Sequence, residues 1–218
     1  MTEHRAEPEL TTMTIADAIA ARQSIRSYTP DLVTDASVRS LLQAAVQAPT
    51  AMHVEPWLFA IVQDRAALRR YSDIAKATLL KEAQSYRDAH DPSRTPKNGG
   101  FLKALASPDF NVFYNAGTLI LICARLTNPF VTADCWLAAE NLMLTASAME
   151  LGTCCIGSAL PAINSPEIKG ELGIPSDVTV VAAITVGVPA DLPTPTPRKA
   201  PVILAWRRPQ QRNGSRAI

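Results

Sequence analysis

The 218-residue sequence predicts one domain in which helices pack against a buried sheet. Three observations carry that reading. Three predominantly apolar runs of strand length occur at 57–62, 118–124 and 178–188. Between them lie longer stretches whose apolar residues recur at helical spacing. Apolar residues make up 47% of the chain and charged residues 19%, enough to build one well-buried core and too apolar for a disordered chain.

Residues 1–12 read as a loose polar arm. From Thr14, the residues Ile15, Ala18 and Ile19 mark a short helix to about Arg22, and Thr29-Pro30 breaks the chain. Val38, Leu41, Leu42, Ala45 and Val46 form one stripe of a second helix over 35–48, with Thr34 or Asp35 as its cap and Pro49 as its stop. Trp57 to Val62 (WLFAIV) is the first strand, buried on both faces, and a charged amphipathic helix follows over 65–87. The stretch 90–109 is rich in Pro, Gly and polar residues and reads as a loop or lid. Thr118 to Ala124 (TLILICA) is the second strand. Thr132 to Glu150 is a helix apolar around most of its circumference, hence central, closed by Leu151-Gly152 as a glycine cap. A short helix over 166–172 precedes the third strand, 178–188. Four prolines in DLPTPTPRKAP then force an extended arm, which ends in a strand-like run, Val202 to Trp206. Those apolar residues need a surface to pack on, either their own domain or a second subunit.

The net charge is +1, from 21 basic and 20 acidic residues, so nothing in the charge balance points to nucleic acid or an anionic membrane. The N-terminus lacks the basic start and apolar run of a signal peptide, and no apolar stretch is long enough to span a bilayer. A cytoplasmic location is expected. Cys123, Cys135, Cys154 and Cys155 follow no metal-binding spacing, so no metal site is expected and the thiols read as small core residues. Neighbouring Cys154 and Cys155 would bridge only with strain.

Four constellations carry chemistry. Arg22 and Arg26 are four apart, so a helical turn would place them on one face with Ser24 at its edge and Gln23 between. Two guanidinium forks and a hydroxyl suit a phosphate monoester, although arginines at a helix end also simply offset its dipole. Pro49, Thr50, Ala51, Met52 and His53 lie in a loop held extended between Pro49 and Pro56, able to offer amides and carbonyls to a flat polar ring or merely to connect helix and strand. Gly152 to Ser158, including Cys155, Ile156 and Gly157, is small enough for close backbone approach to a ligand, or is a turn. Arg198 and Lys199 stand in the proline-rich arm, as phosphate ligands or as a solvated pair.

Taken in order, Arg-x-Ser-x-Arg at 22–26, the Pro-Thr to Pro-Trp loop, Ala-Ala-Glu-Asn-Leu-Met-Leu-Thr-Ala running into Leu-Gly-Thr-Cys-Cys-Ile-Gly, and Val-Gly-Val-Pro-Ala followed by Arg198-Lys199-x-Pro201 resemble the nitroreductase family. The likeness spans about 14–206, which it makes a single FMN-binding domain with an arm at 1–13 and a tail at 207–218. It implies an α+β sandwich: a mostly antiparallel sheet flanked by helices, forming a homodimer with the C-terminal arm laid on the partner and FMN at the interface. It further implies that Arg22, Gln23, Ser24 and Arg26, with Arg198 and Lys199, hold the FMN phosphate and ribityl chain. Pro49 to His53 would line the ring from the partner. Cys155, Ile156, Gly157 and Ser158 would lie beside it, with a backbone N–H near N5. Phe110, Phe113 and Tyr114 fall where the family places an aromatic lid over the substrate pocket.

The reaction implied is ping-pong: NAD(P)H passes hydride to flavin N5, and a nitroaromatic, quinone or similar small-molecule acceptor then takes it, with no side-chain catalyst required. Relatives using the same fold for dehalogenation, dehydrogenation or flavin fragmentation, and a flavin carrier or sensor without turnover, are the alternatives. His53 and Glu55 depart from the family loop, which often has Asn and Gln there. A carboxylate facing the flavin would disfavour its reduced anion unless it turned away.

Overall fold

The computed structural model describes residues 13–89, 99–191, 194 and 196–208. The expected arm at 1–12, the tail from 209 and the segment 90–98 of the expected lid lie outside the described residues. Among those described, four antiparallel strands, β1 (Leu58–Val62), β2 (Thr118–Ala124), β3 (Gly152–Cys155) and β4 (Thr179–Gly187), form one sheet in the order β1-β2-β4-β3. Helices cover both faces, so the α+β sandwich expected from the sequence is what forms.

Alternation along β2 assigns the two layers. Ile120 and Ile122 point into one core, closed by α2 (Asp35–Ala45) and α5 (Val131–Ala148). Leu119, Leu121 and Cys123 point into the other, closed by α3 (Arg65–Ala89), α4 (Gly99–Leu105), α6 (Leu160–Ile163) and α7 (Pro166–Glu171). Between Ile122 and Cys123 the pairing with β4 skips a residue. This bulge lets Val181 and Ala182 both face the α2–α5 core while Val180 faces the other.

Local chemistry sets the helix starts. Thr14 and Asp17 form a reciprocal capping box on α1 (Ile15–Ala21). Thr34 accepts from Ser37 N–H at 3.1 Å to open α2, and Asp64 accepts from Ala66 and Ala67 N–H at the start of α3.

The structure departs from the expected elements where tertiary contacts decide. β1 is the edge strand of the sheet, and Leu58 and Ile61, on opposite faces, are both exposed, so it is not a strand buried on both faces. α2 ends at Ala45, one turn before Pro49. α5 does not end on a glycine. Glu150 takes the left-handed turn (φ 58°), with Leu151 N–H donating to Ala146 O at 2.8 Å and Glu150 N–H to Ser147 O at 3.2 Å. Those are the two bonds of a Schellman cap. Gly152 instead opens β3, in a stretch that reads as a turn. The expected loop over 90–109 contains α4. Val202 to Trp206 forms no strand and lies exposed, so the arm does not fold back on its own domain.

Candidate functional site

The segment after α1 is extended rather than helical. Helix α1 stops at Ala21, and Arg22 turns out of it with φ −58° and ψ 124°. Ser24 forms a parallel bridge with Thr153 of β3, and Ile25 N–H donates to Thr153 O at 2.9 Å. Thr29 N–H then donates to Val188 O at 2.9 Å. The expected sharing of a face by Arg22, Ser24 and Arg26 survives for a different reason: in extended chain, alternate residues point the same way. Ile25 points the opposite way and is buried.

The segment can lie this close because residue 152 is glycine. A Cβ there would meet Ile25 carbons at 2.7–2.8 Å. Tyr28 pins the other end, donating to Ile25 O at 2.8 Å with its oxygen 2.9 Å from Thr185 Oγ1. Burial pushes the Tyr28 phenol far above its ordinary range. Neither Tyr28 nor Thr185 carries a sequence signal for this role, since the contact spans 157 residues.

The cations gather around β3. The Cys154 thiol lies beside Ser24 and Arg26 and feels the charge of Arg22. Arg22 Nε is 3.8 Å from Glu140 of α5. Behind Arg22 and Gln23 opens a cavity of about 490 Å³, lined also by Met13, Glu150, Thr153 and Pro189. All four cysteines are free thiols. Burial raises Cys154 and pushes Cys155 up to about 11, and Cys155 Sγ–H points at Met143 Sδ, 3.5 Å away. Both thiols therefore stay protonated at neutral pH and supply no thiolate nucleophile.

Past β3, Ile156 N–H donates to Ala183 O at 2.8 Å and its side chain is buried. Gly157 and Ser158 open a 3-10 turn (Gly157–Ala159), where the first amides have no acceptor within the turn. A Cβ added at Gly157 would meet no atom within 4 Å, so space is left beside these donors.

Arg26 also reaches an aromatic ledge. Its guanidinium is 5.8 Å from the Tyr114 ring centroid. Phe110 meets Tyr114 edge-on at 6.0 Å and Phe101 at 6.4 Å. Phe113, expected in the pocket, is instead completely buried in the core beneath α3, because the turn at Tyr114 and Asn115 (φ 54° and 56°) directs it inward.

The loop at 49–55 is not held extended by its prolines. It contains a 3-10 turn (Ala51–His53), and within the loop Met52, His53 and Glu55 all have left-handed backbone, with φ 57°, 51° and 44°. For residues other than glycine each such conformation costs about 1–3 kcal/mol, and such strain collects at functional sites. Pro49, Met52, His53 and Glu55 are exposed, Thr50 and Ala51 half-buried. Ala51 N–H donates to Asp134 Oδ1 at 3.2 Å. The loop and Arg22 thus touch α5 at Asp134 and Glu140, about 9 Å apart along its axis. Arg198 and Lys199 stand exposed in the arm.

No group of metal-ligating side chains occurs among the described residues, and none of their helices is long and apolar enough to cross a membrane. Residues 19–188 match the family model described as the nitroreductase family. A 4-nitrobenzoate reductase of Nocardioides sp. is 27% identical over 197 residues, covering 78% of this chain and 79% of that protein. An FMN reductase (NADPH) of Bacillus subtilis is 27% identical over 186 residues, covering 84% and 68%. Among solved structures, a nitroreductase with bound FMN from Bacteroides fragilis superposes with a TM-score of 0.73 at 22% identity, covering 88% of this chain and 98% of that one.

Proposed function

The chain belongs to the nitroreductase family, and from that premise we propose that it is an FMN-dependent NAD(P)H oxidoreductase acting on flat acceptors such as nitroaromatics or quinones. The observation that carries the reading is the extended segment at 22–28, which presents Arg22, Ser24 and Arg26 along one face beside β3. Two guanidiniums and a hydroxyl match a phosphate monoester in charge and geometry. The open space at Gly157, next to the free amides of Gly157 and Ser158, fits the edge of a planar ring.

In this reading Arg22, Gln23, Ser24 and Arg26 bind the phosphate and ribityl chain, with Arg198 and Lys199 of the arm as further cations. Cys155 and Ile156 contribute the wall and backbone of β3, and Pro49 to His53 line the ring from a second copy of the chain. Because Ile156 N–H is taken by Ala183, the donor to N5 falls to Gly157 or Ser158. Phe110 and Tyr114 form the acceptor ledge, stacking flat rings; buried Phe113 supports them from beneath. Bound FMN would accept hydride from NAD(P)H at N5 and give it to the acceptor in a separate half-reaction. The likeness to a 4-nitrobenzoate reductase supports a nitroaromatic acceptor.

A homodimer completes the proposal, the unit from 14 to 206 acting as one domain. Ile15 and Ile19 of α1, Trp136 and Leu137 of α5, and Val202 to Trp206 of the arm all expose apolar surface. An arm that leaves its own domain uncovered suits laying on a partner.

The test is an anaerobic absorbance titration of the purified protein with FMN, then NADPH or NADH. Flavin bands that bleach with nicotinamide and return on adding 4-nitrobenzoate are expected. Failure to take up FMN would overturn the reading. Arg22→Ala with Arg26→Ala should weaken FMN binding by more than about tenfold.

A further inference from the structure

Asp134 is the one buried side chain among the described residues with an oxygen left without a hydrogen bond. It sits in the first turn of α5, 4% exposed, with Cys135 and Val131 of the core on either side. A leucine would fill that place with no polar group to satisfy, so the carboxylate is not explained by packing. Its other oxygen does have a task. Oδ1 accepts the Ala51 N–H at 3.2 Å, reaching 83 residues back along the chain to the turn with three left-handed residues. Inside that turn, Val54 N–H to Ala51 O at 3.3 Å is a weak closure. On either side, Ala48 and Trp57 are buried, but Met52 to Glu55 are exposed and have no core packing to fix their backbone. A strained surface turn persists only when something outside it over-determines its shape. The carboxylate of Asp134 is placed to do that.

We propose that Asp134 is a positioning residue for the flavin-facing loop: by holding the Ala51 amide inward it fixes the left-handed turn at Met52 and His53, and so sets flavin affinity and the fit of the acceptor. This rests on the assignment of residues 49–53 to the flavin ring given above. The Ala51 amide cannot itself serve the cofactor, because it is committed to the core. What the tether supplies is the orientation of the residues that follow it. No donor depends on Oδ2, so a neutral amide whose oxygen takes the place of Oδ1 can still accept the Ala51 N–H.

Three variants separate this from a plain packing role. Asp134→Asn keeps a carbonyl acceptor for the Ala51 N–H and should hold FMN within about twofold of the native chain. Asp134→Leu keeps the branched shape, at somewhat larger volume, and removes the acceptor. It should weaken FMN binding by about tenfold and raise acceptor KM, with the rate of flavin reduction by nicotinamide little changed. Ala51→Pro removes the donor while leaving Asp134 in place, at the first position of the turn, where proline is tolerated. It leaves α5 untouched, so it tests the idea even if the leucine variant does not fold. It should reproduce the leucine phenotype, and the double variant should be no worse than either single one. Amide exchange at Ala51, measured by NMR on the apoprotein, should be slow in the native chain and in Asp134→Asn, and fast in Asp134→Leu. Native FMN affinity and KM in a folded leucine or proline variant would overturn the proposal, as would additive effects in the double variant. Slow exchange at Ala51 in a chain that takes up no FMN would uphold the tether and overturn the flavin assignment, so the two failures are distinct.

Discussion

The middle of the sheet and its rim obey different rules. Every residue of β2 is buried, and β4 is buried along all but its first residue. Their side chains find partners within the same chain on both faces, and their backbone is paired on both edges. Around the rim, the segment at 22–28 is partly exposed, and the turn at 49–55 and the arm at 196–208 are largely exposed. There, non-glycine residues take left-handed backbone and apolar side chains such as Met52 and Leu204 face outward. The difference teaches where stability and function reside. The interior is complete in one chain, while the rim holds its shape through a few long-range contacts and presents the groups proposed to bind FMN.

The largest break in that contrast would come from the interior. Leu121→Ala should cost about 2–5 kcal/mol of unfolding free energy in urea, because a fully buried leucine leaves a cavity flanked on both sides. Leu58→Ala in β1, chemically the same change at an exposed position, should cost about 1 kcal/mol. Equal losses would show that β1 is covered as fully as β2.

Gly152→Ala probes the seam between the two regions. The added methyl would strike Ile25, so either the segment at 22–28 shifts off β3 or the core strains by about 1–3 kcal/mol. FMN binding measured alongside urea unfolding should fall with stability. Normal flavin affinity in a destabilised variant would mean the arginines do not depend on this seam.

A subtler distinction lies in pH. Burial pushes Cys123 up to about 12, and Cys135 and Cys155 up to about 11, from an ordinary value of 9. Only the unfolded chain can ionise these thiols between those limits, so it binds fewer protons than the folded chain there. Their contribution to stability is therefore full below pH 9 and declines from pH 9 to about 12. Urea midpoints should fall over that range, and serine at Cys123 should reduce the slope. The smallest effect on the single chain belongs to the arm. Leu204→Ser, at a residue 95% exposed, should leave monomer unfolding unchanged. Sedimentation of the same variant should show weaker dimerisation, if the arm lies on a partner; unaltered association would place it elsewhere.

Much of this was legible in the sequence wherever a pattern was local. β2 falls at 118–124 as read, Thr34 caps α2, and the order of short motifs named the family that the match at 19–188 establishes. The left-handed turn at 52–55 was not legible, because no glycine marks it. Nor were Asp134, Tyr28 or Thr185, whose partners lie 83 and 157 residues away. Phe113 and Tyr114, adjacent in sequence, part company at a turn, one sealed in the core and the other beside Arg26.

By itself, then, the sequence determined the longer helices, the two-sided apolar character of the central strands and the family, since these rest on periodicity and residue type within a short window. Tertiary structure alone decided which strand is an edge, that Arg22, Ser24 and Arg26 share a face by extension rather than by a helical turn, and that a carboxylate in α5 accepts a hydrogen bond from a turn 83 residues earlier. Those outcomes depend on which surfaces meet, and a residue's own neighbours in sequence carry no information about the face it will be packed against.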